Sequence, residues 1–489
     1  MESLSDTKWD VVISETGLQH SLLALALSRS DKKVLHVDEN EYYGGSEAAF
    51  SLQEVDEWVD KLGKSPNSAP FRNATLWKTE ETASESSPKL SFSRAYTLTL
   101  SPQIIYTKSK LLTQLVSSKV YRQLEFQAVG NWWIYDANGS VLKRLPNGRE
   151  DIFQDKNIDN KAKRNLMKFL KFVVDYENQT EVWEGHGDTS LNSFLSTKYQ
   201  FPLHLQTVIS ALTLSLSPTD DTTVRWALPR IARHLTSIGI FGPGFGAVFP
   251  KWGGGAEIAQ VACRAGAVGG GVYVLGTGIA NVEENGLEDD PEAPAFRLTL
   301  SNDEIVGTKL YFRHSEHNSS NDPVVSKAIY IISSPVLSIF KTTVEGSPPA
   351  AVSVIAFSPE TLRVEGAHQA NPIYIMVHSS ETGECPVGQC VLYATTLHSA
   401  GSKDILAASL KAFLQSIDEK NVTLLYSLYY DQTEDKNSPM DLSFDDKVLE
   451  KVEQQWNEVM GGVGGEFMKF GDRKGMEPND DDNGDNDDY

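Results

Sequence analysis

Cysteine is scarce in this chain of 489 residues, which contains only Cys263, Cys385 and Cys390. Three cysteines are too few for a disulfide framework, and their spacing is not that of zinc ligands. Apolar runs such as residues 22–27 are much shorter than the roughly 20 residues that a membrane-spanning helix needs. The first ten residues, MESLSDTKWD, lack the basic and apolar regions of a secretory signal. We therefore expect a cytoplasmic protein.

Positive charge is also scarce. The chain has 44 Lys and Arg residues but 66 Asp and Glu residues, which gives a formal net charge of −22. Part of the excess lies in the acidic tail at residues 477–489, which is too polar to fold. A protein of this charge is not expected to bind nucleic acid, or to bind anionic lipid directly. The expected partner is neutral or carries basic patches.

Catalytic motifs are missing as well. The sequence has no G-x-S-x-G, H-E-x-x-H, G-x-x-x-x-G-K-[ST] or C-x-x-C, and its ten histidines are scattered. Isolated histidines such as His36 and His234 are expected to be structural. The residues alone make no positive case for an enzyme.

A βαβ unit with a broken turn is present near the N-terminus. Residues 11–14 and 34–37 are predicted strands, residues 18–28 a helix, and Asp38 follows the second strand. Flavin and nicotinamide proteins hold a ribose with an acid at that place.

The turn of this unit should read G-x-G-x-x-G, but residues 15–20 are ETGLQH. Glu15 places a carboxylate where phosphates would lie, and His20 adds bulk where the third glycine allows helix and strand to pack closely. We interpret the unit as structural and expect no bound flavin.

The rest of the chain is predicted to be a sheet-rich domain interrupted by helices. Residues 53–62 are expected to be helical, residues 63–88 a surface segment, and residues 108–240 mostly helical. A hairpin with its turn at Asn138-Gly139 lies within the helical block. A helix at about residues 256–265 and a series of strands then follow: residues 295–300, 309–313, 327–332, 351–357, 373–378, 391–396 and 422–430.

Three stretches in this order resemble the family of Rab GDP-dissociation inhibitors and Rab escort proteins. They are KKVLHVDENEYYGG, YTKSKLLTQLVSSKVYRQLEF and EIAQVACRAGAVGGGVYVL, at residues 32–45, 106–126 and 257–275. The resemblance covers roughly residues 8–435. It implies a mixed α/β, flavin-oxidase-type fold whose nucleotide site has been given up, with an inserted all-helical domain.

The resemblance also implies a Rab-binding surface. The family's Rab-binding tyrosine falls on Tyr43, and its acid, glutamine and arginine fall on Glu257, Gln260 and Arg264. Its apolar residue after the GG-x-Y motif, often Met, is Val274 here. The structural alternative for Tyr43 is a tyrosine packed in a loop. For Glu257 and Arg264 it is a solvated, charged helix face.

A further stretch favours escort proteins over inhibitors. GREDIFQDKNIDNKAKRNLMKFLKF, residues 148–172, resembles the escort segment that docks Rab geranylgeranyltransferase through a phenylalanine and an arginine eleven residues later. These positions are Phe153 and Arg164. The alternative is that Phe153 staples its own helix while Arg164 is solvated. The short segment at residues 63–88 suggests a fungal-type form.

Together these features imply a non-catalytic escort without cofactor or metal. It would bind GDP-bound Rab, present it to the α/β transferase heterodimer, shield the geranylgeranyl lipid in the helical block and touch membranes transiently. We expect four parts: residues 1–105 (sheet), 106–238 (helical), 239–470 (sheet) and 471–489 (acidic tail). A GDP-dissociation inhibitor and, less favoured, a flavin oxidoreductase are the alternatives.

Overall fold

The computed structural model combines two large sheets with eleven helices in the part of the chain that it describes. Phe153 and the tail expected at residues 471–489 lie outside that part, except residue 471. The described residues are 4–64, 70–79, 88–145, 158–284, 293–313, 322–342, 345–417, 419, 421–436, 438–462 and 465–471.

The helices have at most 15 residues. Within the described ranges, none of them has the length and apolar character needed to cross a membrane. In chain order they are α1 (Leu18–Ser28), α2 (Leu52–Lys64), α3 (Lys110–Ser117), α4 (Asn160–Val174), α5 (Thr180–Trp183), α6 (Leu191–Lys198), α7 (Leu203–Ala211), α8 (Val224–Ser237), α9 (Gly255–Val268), α10 (Ser402–Ser416) and α11 (Lys447–Met460).

The strands are numbered in chain order across three sheets. They are β1 (Trp9–Ser14), β2 (Val34–Val37), β3 (Ala49–Phe50), β4 (Phe71–Lys78), β5 (Leu98–Thr99), β6 (Ile105–Tyr106), β7 (Phe126–Asp136), β8 (Val141–Arg144), β9 (Ala247–Pro250), β10 (Val272–Val274), β11 (Ile279–Glu284), β12 (Phe296–Leu300), β13 (Ile305–Phe312), β14 (Val324–Ile332), β15 (Val352–Phe357), β16 (Ile373–Ser379), β17 (Cys390–Leu397) and β18 (Leu424–Thr433).

The predicted βαβ unit forms the centre of the smaller sheet, whose order is β10-β2-β1-β13-β12-β11. Strands β1 and β2 are parallel, as a βαβ crossover requires. Helix α1 is buried along nearly its whole length, because α9 and α11 pack against it. The Trp456 indole N–H of α11 donates to the Ser30 hydroxyl just after α1, at 3.1 Å. The βαβ prediction is confirmed.

The larger sheet has the order β4-β18-β14-β17-β16-β15-β7-β9-β6, with β8 paired to β7. The strands expected after residue 295 are present. The expectation of a mere surface segment at residues 63–88 is wrong in part, because β4 pairs with β18 at the sheet edge. Phe71 at its start is buried against Trp58 and Tyr430. Most other β4 side chains are exposed or only partly buried, so the strand has little hydrophobic pattern.

The hairpin around Asn138-Gly139 is confirmed, since β7 and β8 pair with Asp136 opposite Val141. It belongs to the large sheet rather than to the helices, because β7 also pairs with β9 and β15. Helix α3 likewise packs into the core around α1. The separate helical core is built from residues 158–232. Helical periodicity predicts a buried face but does not specify which core receives it.

Candidate functional site

The turn between β1 and α1 is fixed by contacts within the protein. Glu15 has a left-handed backbone, with φ of 69°. Its N–H donates to the Val37 carbonyl at 2.8 Å, and its carbonyl accepts from His36 Nε2 at 2.7 Å. Burial lowers the pKa of His36 to about 4, so the ring is neutral at pH 7. The first residue of the turn is thereby tied to β2.

Asp38, the residue in the ribose-binding position, has its carboxylate occupied. It is 1% exposed. One oxygen accepts from the Thr16 N–H and the Thr16 hydroxyl, both at 2.7 Å. The other accepts from the Asn40 N–H at 2.9 Å and side-chain amide at 3.0 Å. These four hydrogen bonds hold the turn closed and leave the carboxylate little capacity for a ribose.

The Tyr42–Gly45 loop covers the start of α1. The Gly44 N–H donates to the Thr16 carbonyl and hydroxyl, at 3.2 and 3.1 Å. A Cβ placed on Gly45 would lie 3.4 Å from Gly17 Cα, and one placed on Gly17 would lie 3.5 Å from Glu47 Oε2. Protein backbone and a carboxylate therefore occupy the approach that a pyrophosphate needs. The residues of this turn do not fit a dinucleotide.

The purified protein is accordingly expected to be colourless. Its visible absorbance spectrum should have no flavin bands, and denaturation should release no flavin. Restoring glycine at Glu15 alone should not create binding, since Asp38 and Glu47 would remain. Stoichiometric flavin in the denatured supernatant would contradict this geometry.

Helix α9 presents the second set of sequence-predicted residues. Glu257, Gln260 and Arg264 lie at positions i, i+3 and i+7 and share one side of the helix. Glu257 Oε1 and Arg264 Nη2 are 3.0 Å apart, with 16% and 59% of their side chains exposed. Burial raises the pKa of Glu257, and the Arg264 charge and hydrogen bond oppose that rise.

Tyr43 lies beside this helix. A Cβ on its neighbour Gly44 would be 3.5 Å from the Ala256 Cβ of α9. The phenol is partly buried, and its pKa is raised by burial and by the nearby Cys263 thiol. We call Tyr43, Glu257, Gln260 and Arg264 the α9 platform. Two segments about 210 residues apart in sequence meet on one surface.

Val274 lies apart from the α9 platform. Adjacent side chains of a strand point to opposite faces. Tyr273 packs into the core around α1 and α9, whereas Val274 packs into the core on the other face of the small sheet. Val274 thus packs on the opposite face of the small sheet from Tyr273, and its contact with Rab stays a prediction.

Trp252 is a surface residue that the sequence analysis missed. It precedes α9, is 40% exposed and has a left-handed φ of 59°. The backbone N–H of Trp252 donates to the Thr382 carbonyl at 2.9 Å. A Cβ on Gly383 would lie 2.5 Å from the indole, so a side chain there would clash with it. An aromatic before the glycine run KWGGG was the available signal.

Arg164 is exposed on α4, and its Nε donates to the Asn160 carbonyl at 3.2 Å. The helix begins at Asp159, whose carboxylate accepts from the N–H groups of Lys161 and Ala162 at 2.7 and 2.8 Å. These hydrogen bonds lower the pKa of Asp159. The cap fixes the direction of α4 and hence the position of Arg164. Phe153, its predicted companion, lies outside the described residues.

A cavity of about 1570 Å³ separates the helical core from the large sheet. Leu166 and Leu170 of α4 and Val208 of α7 line one side, while Ile134 and Tyr374 of the sheet line the other. No sequence motif marks it, because its walls come from elements far apart in the chain.

His234, expected to be structural, lines this cavity and is buried. Its Nδ1 lies 3.2 Å from the Tyr106 hydroxyl, and Trp132 packs edge-on against the ring. Burial, reinforced by the neighbouring Arg233 charge, lowers its pKa to about 4. The ring is therefore neutral at pH 7 and contributes no charge to the cavity.

Ser326, His398 and Asp431 come together in the large sheet without forming a catalytic triad. The Ser326 hydroxyl donates to Asp431 at 2.7 Å and lies 2.9 Å from His398 Nδ1. Asp431 faces the same nitrogen at 3.3 Å. A triad needs the serine and the acid on different ring nitrogens. The serine is also fully buried, so the group is a structural network.

The fold and the closed turn define a class of protein: a flavoenzyme-type α/β fold whose β1–α1 turn is closed by contacts within the protein. A putrescine oxidase structure has the same fold, with a TM-score of 0.53 and 10% identity over 93% of this chain and 99% of that one. The chain belongs to the GDP dissociation inhibitor family, whose model matches residues 5–463. A crystal structure of Rab GDI from Plasmodium falciparum superposes with a TM-score of 0.61, at 17% identity, covering 93% of this chain and 98% of that one.

Curated relatives in this family fall into two groups by name. Rab proteins geranylgeranyltransferase component A of Saccharomyces cerevisiae is 32% identical over 80% of this chain and 61% of its own length. The Drosophila melanogaster protein of the same name is 29% identical over 86% of this chain and 80% of its own. Rab GDP-dissociation inhibitor of Saccharomyces cerevisiae is 26% identical over 68% of this chain and 69% of its own length. The chain thus spans about three-fifths of the length of the yeast component A.

Proposed function

We propose that this protein is a Rab escort: the accessory, non-catalytic component that binds GDP-bound Rab and presents it to Rab geranylgeranyltransferase. It then shields the new lipid and delivers the Rab to a membrane. The observation that carries the proposal is the α9 platform, which joins Tyr43 to the Glu257–Arg264 pair at the positions of the family motif.

The platform has the properties of a binding surface. Arg264 is exposed, yet Glu257 holds it in place at 3.0 Å, so little side-chain entropy is lost on binding. Tyrosine and arginine are the residue types that most often dominate interface energies. The guanidinium is the solvent-facing end of this ion pair, because the Glu257 side chain is only 16% exposed. Arg264 is therefore the member of the pair that a partner can contact.

Escort is favoured over inhibitor by two observations. The component A relatives match at higher identity and over more of this chain than the inhibitor does. In addition, residues 148–172 resemble the escort segment that docks the transferase. We propose that Phe153 and the exposed Arg164 recruit the transferase, which carries the zinc and the chemistry.

The cavity beside α4 is the proposed lipid site. Each buried CH₂ group is worth about 0.8 kcal/mol, so a twenty-carbon prenyl chain left in water would aggregate or enter membranes indiscriminately. The volume of about 1570 Å³ exceeds the roughly 300–1,000 Å³ of most small-molecule pockets. Helices α4 and α7 supply one wall of the cavity and the large sheet supplies the other, so the proposed site lies between the helical core and the sheet.

A charge in this cavity should block lipid binding selectively. We expect Val208→Glu, which places a carboxylate in the wall of the cavity, to weaken binding of prenylated Rab at least about tenfold, because a charge against an apolar prenyl chain is costly. Binding of unprenylated Rab should not change. Titration of fluorescent prenylated Rab measures the effect. Val282→Glu, at a valine 38% exposed on β11, is the matched control, and an equal loss there would contradict the assignment.

A pull-down tests the function as a whole. Tagged protein is mixed with GDP-bound Rab and the transferase, with and without a prenyl pyrophosphate. An escort retains both proteins in one complex. Retention of prenylated Rab without any transferase would instead indicate an inhibitor, and retention of neither would reject both functions.

A further inference from the structure

Helix α4 is strongly basic in an otherwise acidic protein. Its sequence NKAKRNLMKFLKFVV contains five Lys and Arg residues and no Asp or Glu, in a chain of net charge −22. Lys161, Arg164, Lys168 and Lys171 follow one another at intervals of three, four and three residues, and all four are exposed. They therefore form one stripe along the helix. The net charge of the whole chain conceals this local reversal.

The C-terminal half of the stripe borders the mouth of the cavity. Lys168 and Lys171 are among the cavity-lining residues. So are Leu203 at the start of α7 and Val174 at the end of α4, which are 72% and 55% exposed. Exposed aliphatic side chains at an opening, next to lysines with flexible apolar stems, suit the interface of a bilayer. We call Lys168, Lys171, Val174 and Leu203 the cavity rim.

The lysines of the rim are available to a partner. Lys168 and Lys171 form no ion pair with the other residues that the structure describes. The acids at the two ends of α4 are engaged, since Asp159 caps the helix and Asp175 accepts from Asn178 and Gln179. On the opposite wall of the cavity, Asp136 is paired with Lys143, while Glu360 also lines the wall.

We propose that the cavity rim is a docking surface for an anionic lipid bilayer. The proposal rests on the lipid-carrying function given above. A prenyl chain that left the cavity through water would expose its whole apolar surface, so the mouth must touch the membrane during transfer. Lysines beside the mouth are attracted to the negative headgroups of a cytoplasmic leaflet. Leu203 and Val174 enter the headgroup region and exclude water from the path.

Vesicle flotation with the full chain alone tests the docking surface. The probes are phosphatidylcholine vesicles with and without phosphatidylserine. We expect binding only to the phosphatidylserine vesicles, and a loss of at least tenfold for Lys168→Glu/Lys171→Glu. The matched control is Lys447→Glu/Lys451→Glu, which makes the same charge change at exposed positions of α11 and should leave binding unchanged.

The apolar half of the rim is tested separately. Leu203→Ser should weaken vesicle binding severalfold, whereas Leu337→Ser, at a leucine that is 66% exposed elsewhere, should not. Equal losses in rim and control variants, or no preference for phosphatidylserine, would overturn the proposal. So would a lysine variant that binds vesicles normally but no longer recruits the transferase, because the stripe would then serve that protein. The assay contains no Rab, so a failure of Rab binding is recognised independently.

Discussion

Alanine at Tyr43 and at Arg264 is expected to weaken binding of GDP-bound Rab by about 1–2 kcal/mol or more for each residue. This corresponds to roughly a five- to thirtyfold loss of affinity per substitution. The platform contributes an exposed guanidinium and a partly buried phenol on one surface, and each substitution removes one of these two contact groups. Titration calorimetry with a GDP-bound Rab measures both variants and their combination.

Folding should be nearly unaffected by these changes. The Arg264 side chain is 59% exposed, so Arg264→Ala leaves no cavity in the core. The Glu257 carboxylate that loses its partner lies in the first turn of α9, where the helix dipole favours negative charge. Arg225→Ala is a matched control, because Arg225 is 54% exposed and faces Asp188 at 3.5 Å. Unchanged Rab affinity in the double variant, or an equal loss with Arg225→Ala, would mean that the Rab surface lies elsewhere.

The second large effect concerns transferase recruitment. Phe153 is the aromatic residue of REDIFQDK, residues 149–156, in which it and Ile152 are the two apolar residues among charged and polar ones. Interface anchors of this type commonly lose 2 kcal/mol or more on truncation. Phe153→Ala should therefore abolish transferase recruitment and Rab prenylation while Rab–GDP binding is retained. Prenylation assays at limiting protein, together with a Rab-binding titration, measure the two activities separately.

The alternative for Phe153 is a local hydrophobic staple. A staple would lower the melting temperature, and prenylation would fall only in proportion to the unfolded fraction. Phe92→Ala is the control, since Phe92 is 73% exposed in the sheet domain. Normal prenylation by a stable Phe153→Ala protein would remove the main reason for preferring escort over inhibitor.

Much of the βαβ unit could be predicted because its signals are local. Apolar runs with the right periodicity gave β1, α1 and β2 within a few residues. The closing of the turn could not be predicted in detail. Glu15 indicated a lost nucleotide site, but the decisive contacts come from Asp38 with Thr16 and from the approach of Gly45, and these depend on three-dimensional geometry.

The surface sites, too, could be predicted only where the sequence signal is local. Helical spacing placed Glu257, Gln260 and Arg264 on one side of α9, whereas only the family resemblance connected them to Tyr43. Val274 was grouped with them by its place in the motif, but strand alternation turns it to the other face of the sheet. The cavity carried no sequence signal, since α4, α7 and the strands that enclose it are distant in the chain.

The basic stripe on α4 is a local departure from the net charge, on which the expectation of no direct binding to anionic lipid rests. A net charge of −22 describes the average surface, whereas screening limits each contact to a range of about 10 Å. A helix with five cations and no anion is therefore a basic surface to whatever touches it. This is why the charge argument against anionic lipid does not extend to the cavity rim.

The central claim is that this chain is an escort rather than an inhibitor, and single-turnover prenylation tests it most directly. Unprenylated Rab, the transferase heterodimer and labelled geranylgeranyl pyrophosphate are combined with and without this protein, and the lipid incorporated into Rab is counted. We predict negligible incorporation without the protein and stoichiometric incorporation with it, followed by recovery of prenylated Rab in a soluble complex. Incorporation that is unchanged by the protein, in a sample that nevertheless binds prenylated Rab, would contradict the account and identify an inhibitor.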